Sequence, residues 1–416
     1  MLSKLSEISA AAVAGEGQAD GCETLEPRPD EHWPFYDEDE IAAVVEVLRS
    51  GRVNQWTGPD VFAFEKACSA RFGGGRPIAL INGSVALELA LRAFGIGPGD
   101  EVVVSPRSFV ASASCVRLVG ATPIFADVDA ASGNITAATV APVLSDRTRA
   151  IIPVHLAGWP TDVPAMMELV RGRVIKVIED CAQAHGAEIE GHSVGSFGDA
   201  AAFSFCQDKI ISTAGEGGLL TIKDEDAWAW AWSFKDHGKD FVKATGPGEP
   251  GMFRWVHDRV GTNWRLPGPQ AAVGVMQLKK LDEWREARTR NAEIWAQALG
   301  EVPGLRVPLP AGNSMHHAFY KLYFYIDRGS DDEAATLRSE ILKRSVEAGL
   351  RVFSGSCSEI YLEQAFSDLP RPDCPVSRSL GARSLMVEVH PTLRQDLLRR
   401  RAGRLAEIAM QVLCAS

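Results

Sequence analysis

The chain has 416 residues, too many for one small core, and its 46% apolar and 23% charged residues suit a globular protein with one large and one smaller domain. A formal charge of −11 disfavours nucleic acid, whose phosphates ask for a basic surface, but leaves room for a small anion held by a few local donors. No apolar run reaches the ~18 residues of a membrane span, and the eight scattered cysteines form neither a CxxC nor a Cys/His metal spacing, so we expect free thiols in a reducing cytoplasm and no metal.

Residues 1–32 are small, polar and acidic, with no basic start before a long apolar core. They read as a disordered extension, not a signal peptide. The segment from Trp33 to about Cys68 is expected to pack beside one or both domains. From there strands and helices alternate. PIALIN (77–82) reads as a strand and SVALELALRAFG (84–95) as a helix. EVVVS (101–105) is β-rich, and FVASASCVRLVG (109–120) returns to helical spacing. TPIFADVD (122–129) is a strand and 134–145 a helix. AIIPVH (150–155), PAMMELVRG (164–172) and VIKVIED (174–180) follow as strand, helix and strand. This alternation means βαβ units and a parallel sheet buried on both faces, with ligands at the carboxyl ends of its strands.

AAAFSF (200–205) and GGLLTI (217–222) are short strands separated by a turn, and a polar, aromatic stretch fills 223–268. A long helix, 270–300, leads into an α+β region with strands at 320–326 and 385–390 and helices at 333–348 and 393–414. The expected division is an extension over 1–32, a large domain over 33–285 and a small C-terminal domain over 286–416.

Two residues stand out at strand ends. Asp180 closes a buried strand in VIEDCAQAHGA, where an ionised carboxylate needs a positive partner or several donors. By itself it could be an N-cap or half of a salt bridge; it also suits the protonated pyridine nitrogen of pyridoxal phosphate. Lys209 follows the AAAFSF strand in FSFCQDKIISTAGEGG. A lysine after a strand is ordinarily solvated, but one beside that ring can bond the aldehyde as a Schiff base. Gly83 and Ser84, in INGSVALEL, sit where a strand meets a helix, and a helix start offers backbone N–H groups to a phosphate. Ser84 is otherwise only an N-cap. Ser204, five residues before Lys209, could add a hydroxyl or be an inert strand serine. The glycines of GEGG (215–218) allow a tight turn beside the cofactor.

With these residues in place, the chain resembles the DegT/DnrJ/EryC1/StrS sugar aminotransferases, of the aspartate aminotransferase fold (type I). The resemblance runs from about Trp33 to the C-terminal helix. It is carried by NGSVALELAL, GPGDEVVVSPRSFVASA, EDCAQAHGA, FSFCQDKIISTAGEGG, KDHGK and GTNWRLPGPQAAVGVMQL in one order. It implies a large domain with a mainly parallel seven-stranded sheet flanked by helices, plus a smaller C-terminal α+β domain. It implies pyridoxal phosphate as cofactor, with Lys209 as covalent anchor and proton carrier and Asp180 on the pyridinium. Gln183 would meet the phenolic oxygen and Phe109 the ring face. Gly83, Ser84 and Ser204 would hold the phosphate, joined by Asn263 from a neighbouring subunit, which makes a homodimer the expected state. His185, His237 and Trp56 are expected near the substrate. The sequence Cys206-Gln207-Asp208 departs from the family, which often has His-Pro-Thr there.

The activity so implied is transfer of an amino group from glutamate or glutamine to a keto sugar, foremost a nucleotide-linked 4-keto- or 3-keto-6-deoxyhexose, for polysaccharide or natural-product synthesis. An inosose-type carbocycle aminotransferase shares every cofactor residue. A sugar dehydratase of the family would carry histidine at position 209. A non-catalytic regulator would need a DNA-binding element or a damaged lysine site. A nicotinamide enzyme would need the GxGxxG turn that NGS lacks.

Overall fold

A computed structural model describes residues 25, 31–248, 252–312 and 314–414. Seven strands make the large sheet: β1 (Arg76–Leu80), β2 (Glu101–Val104), β3 (Thr122–Phe125), β4 (Thr148–Ile152), β5 (Lys176–Asp180), β6 (Ala200–Ser204) and β7 (Gly218–Ile222). Their order is β1-β7-β6-β5-β4-β2-β3. Strand β7 runs antiparallel to both of its neighbours, and the other pairs are parallel. The central strands have few polar residues because both faces are covered. All of EVVV in β2 and of GLLTI in β7 is buried. The seven-stranded, mainly parallel sheet is the one that the resemblance implies.

Helices α1 (Glu38–Ser50) and α2 (Asp60–Phe72) precede the sheet; α3 (Gly83–Ala93) follows β1 and α4 (Ala111–Leu118) follows β2. The 33-residue α5 (Gly268–Gly300) packs against α1 and α2 early in its length. Its later residues Ala292, Trp295 and Leu299 enter a second core around an antiparallel sheet. That sheet runs Leu305–Arg306, Leu322–Ile326, Ser384–Val387, Val352–Phe353. Asp331–Glu347 and the terminal helix α6 (Gln395–Cys414) complete it.

Three expectations need correction. Most of 1–32 lies outside the described residues, but Leu25 packs on the second core and Glu31 is buried, its carboxylate 2.7 Å from Arg401 of α6. Leu25 and Glu31 are therefore packed, where the composition suggested disorder. The helix expected over 134–145 is only Ala137–Val140 plus one 3₁₀ turn, because Pro142 cannot continue it. The stretch after 223 contains an unanticipated helix, Glu225–Lys235, capped by Asp224. Its tryptophans at 228, 230 and 232 alternate as in a strand, which hides the helical period. Among the described residues, no helix is long and apolar enough to cross a membrane, and seven cysteines are free thiols; Cys22 lies outside those residues.

One ammonium fastens α1 to α5. Lys280 Nζ lies 2.9, 2.7 and 2.8 Å from carboxylate oxygens of Asp37, Asp39 and Glu40, and Glu40 is buried. Replacing Lys280 by Met would leave that carboxylate buried without its cation. The expected loss is about 3 kcal/mol, read as a lower urea midpoint with unchanged slope.

Candidate active site

A cavity of about 340 Å³ opens at the carboxyl ends of β5 and β6, beside the starts of α3 and α4. It brings together Gly83, Ser84, Phe109, Asp180, Gln183, Ser204 and Lys209, drawn from segments up to 126 positions apart (209 − 83). This is where a parallel sheet gathers ligands, since each strand delivers its last residue to the same edge.

The anion end is the first turn of α3. Its cap is Asn82, whose side chain accepts the Val85 N–H at 3.0 Å. Ser84 is therefore not the cap; it is exposed and lines the cavity. The first-turn N–H groups lack intrahelical acceptors and suit a phosphate. Two glycines make the approach possible. A Cβ on Gly83 would lie 2.6 Å from that of Ser204, and one on Gly218, the last of GEGG, 2.2 Å from the Asn82 carbonyl oxygen.

Asp180 is buried at the end of β5. Its carboxylate accepts the Ser112 hydroxyl at 2.8 Å and the Ala182 N–H at 3.2 Å. Burial pushes its pKa up, and the two donors with the more distant Lys209 and His155 do not offset that. A protonated ring nitrogen would supply the missing countercharge. The neighbouring Glu179 points to the other face of the strand, where it accepts N–H groups of Gly195, Phe197 and Gly198 at 2.7 to 2.9 Å and pairs with His155 at 3.1 Å. His155 in turn donates its backbone N–H to the Asp180 carbonyl. The strand end is thus fixed on both sides.

Gln183 accepts the Ala157 N–H through Oε1 at 2.7 Å. Because that partner can only donate, the oxygen must face it, which leaves the NH₂ for a ligand oxygen. Lys209 closes a turn in which its N–H bonds the Cys206 carbonyl, and its side chain is 14% exposed on the cavity. The Trp33 indole N–H donates to the Lys209 carbonyl at 2.7 Å, and the Tyr36 hydroxyl lies 3.1 Å from that of Ser212. The segment before α1 therefore braces the lysine loop. Phe109 is 65% exposed at the cavity wall, its ring free to lie against a flat ligand.

The remaining expected residues lie elsewhere. His185 does not line the cavity. It is fully buried, stacked on Phe203 and Phe205 with ring centroids 5.9 and 5.2 Å away, and burial pushes its pKa down to about 3. Its expected substrate contact is replaced by core packing on the far side of the sheet. Trp56, His237 and Asn263 are also absent from this cavity; they group around the buried Asp236. The Trp56 indole donates to Asp236 at 2.9 Å, Asn263 bridges to Asp236, and His237 donates its backbone N–H to Thr262. Conversely, Ser112, Cys206, Asp208 and Glu216 line the cavity without having been singled out as site residues. Ser112 stands three residues after Phe109, but nothing in the sequence joined it to Asp180, 68 positions on.

The sequence profile of the DegT/DnrJ/EryC1/StrS aminotransferase family matches residues 34–405. The chain belongs to that family. It is 35% identical over 340 residues to the UDP-N-acetyl-3-dehydro-alpha-D-glucosamine 3-aminotransferase of Acidithiobacillus ferrooxidans, covering 81% of this chain and 85% of the relative. It is 34% identical over 366 residues to the GDP-perosamine synthase of Caulobacter vibrioides, covering 87% and 93%. Among solved structures, an aminotransferase from Psychrobacter cryohalolentis matches with a TM-score of 0.84 and 43% identity, covering 90% of this chain and 97% of the other. By family this is a pyridoxal phosphate-dependent sugar aminotransferase, and the residues fit that cofactor. A helix start offers N–H groups that would bind its phosphate, a buried carboxylate lacks a full countercharge, and a lysine stands in the same cavity.

Gly218→Ala should push the Asn82–Gly83 backbone away from β7. We expect cofactor affinity to fall about tenfold or more, equivalent to one lost contact of roughly 1.4 kcal/mol. Quenching of tryptophan fluorescence on titration with pyridoxal phosphate measures it, and wild-type affinity in the variant would refute the close-approach argument.

Proposed function

We propose that this enzyme moves an amino group from glutamate or glutamine to the ketone of a nucleotide-linked sugar, foremost a 4-keto- or 3-keto-6-deoxyhexose. The observation that carries the reading is the convergence of Lys209 and Asp180 on one cavity whose far end is a helix start. The substrate class is supported by the UDP- and GDP-linked sugars in the names of the relatives above.

In this reading Lys209 binds the cofactor aldehyde covalently and moves the proton between substrate carbon and cofactor in both halves of a ping-pong reaction. Asp180 keeps the ring nitrogen protonated. The Gln183 NH₂ donates to the phenolic oxygen, Phe109 covers one ring face, and Gly83, Ser84 and Ser204 hold the phosphate. When bound, pyridoxal phosphate supplies the electron sink that stabilises the carbon losing its proton. Asn263 completes the phosphate site of a second copy in a homodimer. Trp56 and His237 share its surface, so they would reach the substrate of that same second copy. Unpaired thiols support a reducing compartment such as the cytoplasm.

The first test is spectroscopic. Protein loaded with pyridoxal phosphate should show a visible band that bleaches with glutamate or glutamine, and Lys209→Ala should lose that band. The bleached enzyme is then offered UDP-, GDP- and dTDP-linked keto sugars and scyllo-inosose. Turnover of the carbocycle alone would overturn the sugar assignment, and no bleaching with either donor would overturn the donor pair.

Sharing of sites between copies has its own test. Lys209→Ala and Asn263→Ala proteins, each inactive or weak alone, should regain activity when mixed and allowed to exchange subunits. In a mixed dimer one site is built from the two intact contributions. Failure of mixing to restore any activity, with exchange verified by mass, would refute the assignment of Asn263 to the second copy.

A further inference from the structure

The residue before the lysine makes two contacts in the structure. Asp208 lines the cavity with Lys209. Consecutive side chains diverge in a strand, but here the turn from Cys206 to Lys209 brings both to one side. Asp208 Oδ1 lies 3.7 Å from Lys209 Nζ. Its other oxygen, Oδ2, accepts the hydroxyl of Tyr320. Lys209 Nζ also stands 5.0 Å from the centroid of the Tyr320 ring, within cation–π range. Burial alone would raise the Asp208 carboxyl, but Lys209, the Tyr320 hydroxyl and Lys321 outweigh it and hold it below the usual carboxylate range. Asp208 is thus an anion at neutral pH.

Tyr320 is itself fixed. Its backbone N–H donates to the Ala157 carbonyl at 2.9 Å, and its carbonyl accepts from the buried guanidinium of Arg288 at 3.3 Å. It stands two residues before the strand Leu322–Ile326 of the small sheet. A carboxylate on the lysine loop is therefore tied to the part of the chain that leads into the second core.

We propose that Asp208 is a positioning residue for Lys209: anchored by Tyr320, its carboxylate holds the lysine side-chain nitrogen at the cavity edge whenever that nitrogen is not bonded to cofactor. The assignment rests on Lys209 being the cofactor's lysine. It gives the free lysine one resting place instead of many, and it makes that place depend on the seating of the segment before the small sheet.

The experiment is done on cofactor-free protein, so its failure is separate from failure of the spectroscopic test above. Acetic anhydride acylates a lysine nitrogen only when its lone pair is free, and a nitrogen held in an ion pair must first leave its carboxylate to react. Labelling of Lys209 is followed by mass spectrometry relative to the exposed Lys66. At pH 8, Asp208→Asn should label roughly fivefold faster than wild type, the upper end expected for one solvent-accessible ion pair. Asp208→Glu should restore slow labelling, which a general loosening of the loop would not do. If Asp208→Asn does not fold, Tyr320→Phe carries the test, since an unanchored carboxylate should also let labelling accelerate. Equal labelling of Lys209 in wild type and in whichever of these two variants folds would overturn the proposal.

Discussion

The cost of burying one carboxylate organises this site. Asp180 ends a strand covered on both faces, with only two neutral donors in contact with it. Desolvation of that group would be expensive in a site with nothing positive to receive. The surrounding structure accordingly spends its strong interactions on holding the position, not on neutralising the charge. Glu179, one residue earlier, takes the full set of donors that Asp180 lacks: three backbone N–H groups and the His155 ring. Alternation along the strand separates the two roles. One carboxylate is saturated and structural; the next is left for a cation.

The single antiparallel strand has a specific use. Strand β7 lies between β1 and β6, so the glycine that begins it meets the carbonyl that precedes α3. A parallel strand in that slot would present its other end. The reversed direction lets the turn after the lysine loop come back beside the end of the cavity formed by the start of α3. The tight turn of GEGG and the start of α3 are in this way parts of one construction, held together by contacts too close for any Cβ.

The lysine loop is braced from outside the sheet as well. Trp33 holds the Lys209 carbonyl, Arg288 of α5 stands 4.9 Å over the Trp33 ring, and the same arginine binds the carbonyls of Phe319 and Tyr320. The chain before α1, the long helix and the entry to the small sheet thus meet behind Lys209. A shift of the second core relative to the large sheet would be felt at Lys209 through these backbone bonds, and at Ser108, whose N–H donates to the Cys357 carbonyl at 3.1 Å.

Much of this was legible in the sequence, for a physical reason. The strands of a doubly covered sheet are uninterrupted apolar runs, and residues such as Asp180 and Lys209 betray themselves by standing at the ends of those runs. Local chemistry also marked Gly83 and the GEGG turn. What the sequence could not decide was which face a side chain takes after the chain leaves its strand. Gln183 and His185 are two positions apart, yet one faces the cavity and the other stacks on phenylalanines in the core. Capping fell to Asn82 instead of Ser84, because the helix begins one residue earlier than its apolar pattern. The pairing of Ser112 with Asp180 and of Tyr320 with Asp208 joins positions 68 and 112 residues apart. Such contacts are set by the packing of whole elements, and no local pattern carries them. Composition and periodicity determined the alternating architecture, and the motifs at the strand ends marked Asp180 and Lys209; only the tertiary structure decided what stands beside them.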